Sequence, residues 1–169
     1  MNTQIGILVI GNEILDGIVL DTNSQWLINQ LKALNFQVSE KMTIRDDTKV
    51  ISKAVRRMLS AGANLIFTTG GLGPTHDDKT LAGVAMAFEL PVEVNDKALK
   101  IVTRQYTDMH QRGMIETGEI TEPRRKMAVL PKGAQPLDNR VGGAPGVILD
   151  IEGAQIISLP GVPGELMWI

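Results

Sequence analysis

The sequence predicts a single α/β domain of three layers, α/β/α, built on a mostly parallel sheet and completed by a late β-hairpin. Two patterns carry the expectation. Short apolar runs alternate with stretches of helical periodicity three times in succession, and alternating strands and helices of this kind imply crossover connections and a parallel sheet. Near the end, two β-rich runs flank Glu152-Gly153, a pair suited to a tight hairpin turn. At 169 residues the chain has the length of one domain and enough substance to bury a core.

Taken in order, Ile5-Gly6-Ile7-Leu8-Val9-Ile10 is a continuous apolar run closed by Gly11-Asn12, as expected of a central strand covered on both faces. Asp21-Thr22-Asn23-Ser24 offers helix caps, and Trp26, Leu27, Leu31 and Leu34 follow at helical spacing. Phe36, Val38, Met42 and Ile44 describe a half-exposed strand ending at Arg45-Asp46-Asp47, acids that also suit the cap of the next helix. That helix carries the stripe Val50, Ile51, Ala54, Val55, Met58 and Leu59, with Gly62 placed to end it. Leu65-Ile66-Phe67 then leads through Thr68-Thr69 into Gly70-Gly71-Leu72-Gly73-Pro74, and Leu81, Val84, Ala85 and Phe88 begin another helix, expected to start near Asp77. Beyond Pro91 the pattern gives a helix near Asn95 to Met109 and an exposed, mobile insertion from His110 to Arg125. Val147 to Ile151 and Ala154 to Leu159 form the hairpin, and Pro160 to Leu166 is a loop entering a helix cut short at Ile169, as in a fragment of a longer protein.

Composition narrows the function. With 43% hydrophobic and 21% charged residues the chain is an ordinary globular one, and a net charge of -2 leaves no broad basic surface for polymeric nucleic acid. The absence of cysteine removes thiolate catalysis, thiolate metal sites and disulfides together. Met1-Asn2-Thr3-Gln4 lacks a basic leader, and the first apolar run is too short for a signal sequence or a membrane span, so the cytoplasm is the expected location and no membrane partner is expected.

Ligands of an open parallel sheet settle outside the carboxyl ends of its strands, where Gly11-Asn12-Glu13, Arg45-Asp46-Asp47 and the loop Gly70 to Asp78 all fall. Glycines there let backbone N–H groups approach an anion, and the following helix start adds its dipole. The alternative reading is a tight strand-to-helix turn with no ligand. Two acids beside a phosphate site call for a shared cation, and magnesium held by Asp46, Asp77 or Asp78 together with phosphate oxygens resolves the conflict. For any one of these acids a helix cap or first-turn position is the commoner role, and it is their convergence that points to a site. Glu13 either orients a ligand or pairs with a neighbouring base. His76 and His110 read as surface groups, Arg124-Arg125-Lys126 as a solvated face, and Asn139 with Gly142-Gly143-Ala144-Pro145-Gly146 either lines the same cleft or merely connects to the hairpin.

The run Thr68-Thr69-Gly70-Gly71-Leu72-Gly73-Pro74-Thr75-His76-Asp77-Asp78-Lys79-Thr80 resembles the signature loop of the CinA N-terminal domain, a relative of the molybdopterin-binding, MoaB/Mog-like domains. Gly11 to Leu15, Asp21-Thr22-Asn23, Arg45-Asp46-Asp47, Ala144-Pro145-Gly146 and Leu159 to Glu165 support the resemblance along nearly the whole chain. It implies a MoaB/Mog-like three-layer domain, usually a homo-oligomer, with a pocket for a nucleotide or pterin phosphate. By motif position Asp46 and Asp78 look like the two acidic residues that matter in the molybdopterin branch, and Gly70, Gly71, Gly73 and Thr75 like its phosphate cradle. The candidate site is then Asp46 and Asp78 as catalytic residues, Asp46, Asp77 and Asp78 as metal ligands, and Glu13, Thr69, Gly70, Gly71, Gly73, Pro74, Thr75, Asp77, Gly161 and Glu165 as ligand contacts. Leu72 and His76-Asp77 depart from the molybdopterin branch, and CinA-like domains are associated with metal-dependent cleavage of ADP-ribose-like pyrophosphates. Two functions therefore stand side by side: a metal-dependent nucleotide pyrophosphatase, and a non-catalytic module that binds molybdopterin or a nucleotide.

Overall fold

A computed structural model describes residues 3–169, so Met1 and Asn2 of the N-terminal tetrad lie outside the described residues. Six strands form one sheet in the order β2-β1-β3-β8-β7-β6. β1 (Ile5–Ile10) lies between β2 (Val38–Ile44) and β3 (Leu65–Thr69), and β3 pairs with β8 (Ala154–Leu159), all in parallel. β7 (Gly146–Ile151) and the short β6 (Gln135–Leu137) continue the sheet antiparallel. The expected hairpin is thus present, and it forms part of the main sheet: β7 and β8 turn at Glu152 and Gly153, with φ of 53° and 77°, the two positive values a type I′ turn requires.

β1 is buried at every position and runs into the one-turn α1 (Asn12–Leu15), and its alternation feeds two cores. Ile5, Ile7 and Val9 meet α2 (Thr22–Ala33) through Leu27 and Leu31, and α7 (Pro163–Trp168) through Leu166. Leu8 and Ile10 face the other core with α3 (Thr48–Ser60), α4 (Thr80–Ala87) and α5 (Asp96–Gln111). Two apolar faces covered by helices make the three layers. Gly6 stands on the α3 side because Met58 fills the space: a Cβ there would lie 2.9 Å from its sulfur.

Local signals account for most boundaries. Asp21 caps α2 through the Ser24 amide at 3.0 Å, and Asp47, not Asp46, caps α3 by accepting from Lys49 and Val50. α3 ends at Gly62, whose φ is 96°, with the Ala63 amide returning to the Met58 carbonyl. α4 begins at Thr80, three residues after the expected start, because residues 74–79 are occupied by a stapled loop described below. The insertion expected from His110 to Arg125 is partly helical: α5 runs to Gln111, and α6 (Glu122–Lys126) starts with Pro123 in its first turn. A two-stranded antiparallel pair, β4 (Val92–Val94) with β5 (Val129–Pro131), completes the domain. No helix among the described residues is long and apolar enough to cross a membrane.

Candidate functional site

The strand order places a switch point at β1. The chain leaves β1 for β2 by α2 on one face, then returns by α3 on the other face to β3. Parallel strands β1, β2, β3 and β8 present their carboxyl ends on one edge, so the segments after Ile10, Ile44, Thr69 and Leu159 converge there. A cleft of about 770 Å³ opens at this edge.

The floor of the cleft is backbone. Gly70 turns the chain with φ 99°, its N–H donating to the Leu159 carbonyl at 3.1 Å, and a Cβ there would lie 2.1 Å from the Ile10 carbonyl oxygen. Thr80 ties the loop from behind: its hydroxyl donates to the Gly70 carbonyl at 2.8 Å and its amide to the Gly71 carbonyl at 3.2 Å. The N–H groups of Gly71, Leu72 and Gly73 find no acceptor among the described residues, and all three residues border the cleft. Successive unpaired amides of this kind form an anion-binding concavity.

Carboxylates face that floor. Asp46 is clamped to the end of β1 by a reciprocal pair, the Asn12 amide donating to its Oδ2 at 3.1 Å and its own amide donating to Asn12 Oδ1 at 3.4 Å. Its Oδ1 lies 3.1 Å from where a Cβ on Gly71 would stand, so the acid and the bare amides share one space. Burial pushes the Asp46 carboxyl up; the Asn12 bond counters this, and the neighbouring charges of Glu13, Asp78 and Asp77 raise it further. Asp78 behaves differently. Its Oδ2 accepts from the Thr75 amide at 2.7 Å and the Thr75 hydroxyl at 2.6 Å, closing the loop on itself.

Lys126 corrects the expectation of a solvated basic face. Its ammonium, from the end of α6, donates to the carbonyls of Thr75 and Asp78, and burial pulls its pKa down while Asp78 and Asp77 oppose the shift. Arg124 is likewise engaged, stacked over the Tyr106 ring at 4.1 Å. Lys126 thus fixes the rim of the loop, whereas Arg124 holds the 117–119 segment through the Thr117 and Glu119 carbonyls.

A further wall comes from α5, the 139–144 loop and α7. Tyr106, Gly143, Ala144, Val162 and Glu165 border the cleft here, and Asn139 sits fully buried behind them. Burial raises the Glu165 carboxyl above the ordinary glutamate range, with a bond from Asn139 pulling it partway back.

Every site residue expected from the sequence borders this cleft except Thr69. The Thr69 hydroxyl is buried and used internally, accepting from Asn23 Nδ2 at 3.0 Å and donating to the Pro160 carbonyl at 3.4 Å. Asn23 also reaches the Gly161 carbonyl at 2.8 Å, and thereby holds the β8 loop against Gly70. Gly143 and Ala144 bring the second glycine-rich loop to the cleft, and Asn12, Tyr106 and Lys126 are additions. Of these additions only Asn12 had a signal, its place two residues after a strand end; a tyrosine or lysine on a helix carries none. Among the described residues no three histidine or acidic side chains gather closely enough to enclose a metal ion, so any cation on Asp46, Asp77 or Asp78 would draw the rest of its ligands from phosphate oxygens and water.

Similarity to known proteins agrees with the geometry. A family profile described as a probable molybdopterin binding domain matches residues 6–168. A protein of Aeropyrum pernix is 44% identical over 160 residues, covering 95% of this chain and 57% of the relative. One of Pyrococcus horikoshii is 39% identical over 160 residues, covering 95% and 63%. The chain therefore spans only about three fifths of the length of these relatives. Among solved structures, the protein CinA of unknown function from Thermoplasma acidophilum superposes with a TM-score of 0.87 at 33% identity, covering 98% of this chain and 93% of that one. The molybdopterin biosynthesis enzyme MoaB from Thermus thermophilus superposes with a TM-score of 0.60 at 19% identity, covering 97% and 84%, a likeness of fold alone. With its mostly parallel MoaB/Mog-like sheet and its glycine loop at the switch point, the chain belongs to the probable molybdopterin-binding domain family, as a CinA-like member.

Proposed function

We propose that the cleft binds a phosphate-bearing nucleotide, with its phosphates on the Gly71–Gly73 amides, and that the domain is a metal-dependent pyrophosphatase acting on ADP-ribose-like substrates. The observation that carries the reading is the position of Asp46, whose Oδ1 stands against the bare backbone of Gly71. Glu13, Asp46, Asp77 and Asp78 are among the six acids that border a cleft floored by anion-seeking amides, Asp16 and Glu165 being the others. Phosphate and carboxylate tolerate each other there only with a cation between them; burial is the main cause that raises the Asp46 carboxyl, and the charges of Glu13, Asp78 and Asp77 add to it.

A divalent cation, magnesium as first choice, would be held by Asp46 with Asp77 or Asp78, and when bound would neutralise phosphate charge and polarise the phosphorus. The rest falls to the chain. The loop amides orient the pyrophosphate, and Asp46, fixed by Asn12, accepts a proton from a water in line with the bridging oxygen. The water oxygen bonds to phosphorus, the P–O bond to the bridge breaks, and two phosphomonoesters leave. Asp78, with one oxygen committed to Thr75, sets the shape of the loop.

That commitment of Asp78 favours a second reading, a module that holds a nucleotide or molybdopterin without turnover. Purified protein incubated with ADP-ribose and a panel of divalent ions separates the two. Release of AMP and ribose 5-phosphate that is abolished by chelation and by Asp46→Asn supports catalysis. Calorimetric binding without product supports the module, and neither binding nor product with nucleotide or pterin sinks both.

A further inference from the structure

The second wall of the cleft contains a polar group on an unusually rigid mount. Asn139 is fully buried, and its amide orientation is fixed by its surroundings: Oδ1 accepts from the Val141 and Gly142 amides, each at 2.9 Å. Nδ2 must therefore face the other way, and it donates to the Ala144 carbonyl and to Glu165 Oε2, each at 2.7 Å. The Glu165 carboxyl lies flat on Gly142, where a Cβ would stand 1.9 Å from its Cδ. Gly142 is itself held by Gln105, whose Nε2 donates to its carbonyl at 3.0 Å. Beside it the Tyr106 ring rests against Gly143, with Arg124 stacked over it at 4.1 Å.

This is more than the loop requires. The bonds from Asn139 to Val141, Gly142 and Ala144 already close the turn, yet a further donor is spent on Glu165. That bond uses Oε2, and no partner for Oε1 is found among the described residues. An oriented carboxyl oxygen beside an aromatic ring, in a wall separate from the phosphate loop, has the chemistry to receive a donor on the organic part of a ligand.

We infer that Glu165, aimed by the positioning residue Asn139, is the acceptor that reads a hydrogen-bond donor on the nucleoside part of the ligand and so sets which phosphate compounds the loop retains. The inference rests on the proposed occupancy of the cleft. The donor is either a ribose hydroxyl or an amino group of the base.

The locked amide makes a sharp test possible. In Glu165→Gln, Asn139 Nδ2 still demands an oxygen, so the new side chain turns its oxygen to Asn139 and its NH2 to the cleft. A donor then faces a donor. In Glu165→Ala the acceptor is merely lost. Titration calorimetry of the folded full chain with ADP, 2′-deoxy-ADP, 2′,3′-dideoxy-ADP and inorganic pyrophosphate, each with magnesium, reads the difference. Glu165→Gln should weaken ADP roughly tenfold or more, Glu165→Ala by a smaller factor of about threefold, and pyrophosphate should be unaffected by either. A merely structural glutamate gives the opposite order, because alanine removes more packing than glutamine. If the loss in Glu165→Gln vanishes with 2′-deoxy-ADP, the donor is the ribose 2′-hydroxyl; if it persists there but vanishes with 2′,3′-dideoxy-ADP, the donor is the 3′-hydroxyl, and if it persists with both, the donor is on the base. Equal weakening of ADP and pyrophosphate, or Glu165→Ala as harmful as Glu165→Gln, overturns the inference and leaves the phosphate loop standing. Failure of the unsubstituted chain to bind either ADP or pyrophosphate overturns both.

Discussion

Gly70 and Gly62 form a natural pair for measuring how tightly the phosphate loop is built. Their φ values, 99° and 96°, are nearly equal, but their surroundings differ: nothing lies within 4 Å of a Cβ at 62, whereas a Cβ at 70 would lie 2.1 Å from the Ile10 carbonyl oxygen. Alanine at either site incurs left-handed backbone strain of about 1–2 kcal/mol, and the lowered entropy of the unfolded chain cancels between the two. Only Gly70→Ala must also push apart the ends of β1 and β3, which adds roughly 1–3 kcal/mol, the usual range for overpacking. Gly62→Ala should therefore cost about 1–2 kcal/mol and Gly70→Ala about 2–5 kcal/mol. At about 2–4 °C per kcal/mol for a chain of this size, Gly70→Ala should melt roughly 4–20 °C below the parent protein and clearly below Gly62→Ala. Thermal unfolding followed by circular dichroism reads both. Equal melting temperatures for the two variants would refute the claim that β1 and the loop are in hard contact.

Three other outcomes follow from the site. Asp46→Asn should retain the fold yet lose metal-dependent turnover by about 10²-fold or more, the usual contribution of a positioned acid or base, and an unchanged rate in a product assay rules Asp46 out of that role. Lys126→Met removes two charge-assisted bonds to loop carbonyls at a partly exposed site, which should cost about 1–2 kcal/mol and speed hydrogen exchange at amides 75–80; unaltered exchange there contradicts the clamp. Glu165 has a carboxyl raised by burial, so the stability it contributes is complete below its unfolded value and is lost as pH rises through its folded value. Across the mildly acidic range the parent should lose stability relative to Glu165→Gln as pH rises, and urea unfolding curves that stay parallel across that range would contradict the shift.

Elements with strong periodicity were readable from the sequence. β1, α2, α3 and β3 each carry a long apolar pattern with a cap or a glycine at the boundary, and these fix the switch point and hence the place of the cleft. The hairpin was readable because Glu152-Gly153 is a local signal. What escaped was non-local. β4 and β5 are three residues each and pair across more than thirty intervening residues, so neither has a period to detect. The true start of α4 was hidden because Asp78 spends its side chain on Thr75, a use that spacing alone does not distinguish from a helix cap. For the same reason Asp46 and Asp47 could not be told apart until Asp47 was seen to cap α3 and Asp46 to face Gly71. A threonine before a glycine loop looks like a ligand group, and spacing does not show that the buried Thr69 hydroxyl bonds Asn23 and the Pro160 carbonyl. Lys126 belongs to a basic run whose neighbour Arg125 is exposed, and only the fold brings its amine under the loop.

The proposed function requires Asp46 and the Gly71–Gly73 amides to act on the same phosphate through a shared cation. A crystal structure grown with manganese and the α,β-methylene analogue of ADP-ribose tests it directly. An anomalous peak against the Asp46 carboxylate and phosphonate oxygens on the loop amides are expected. Phosphonates lying away from the loop, or manganese bound without Asp46, would contradict it.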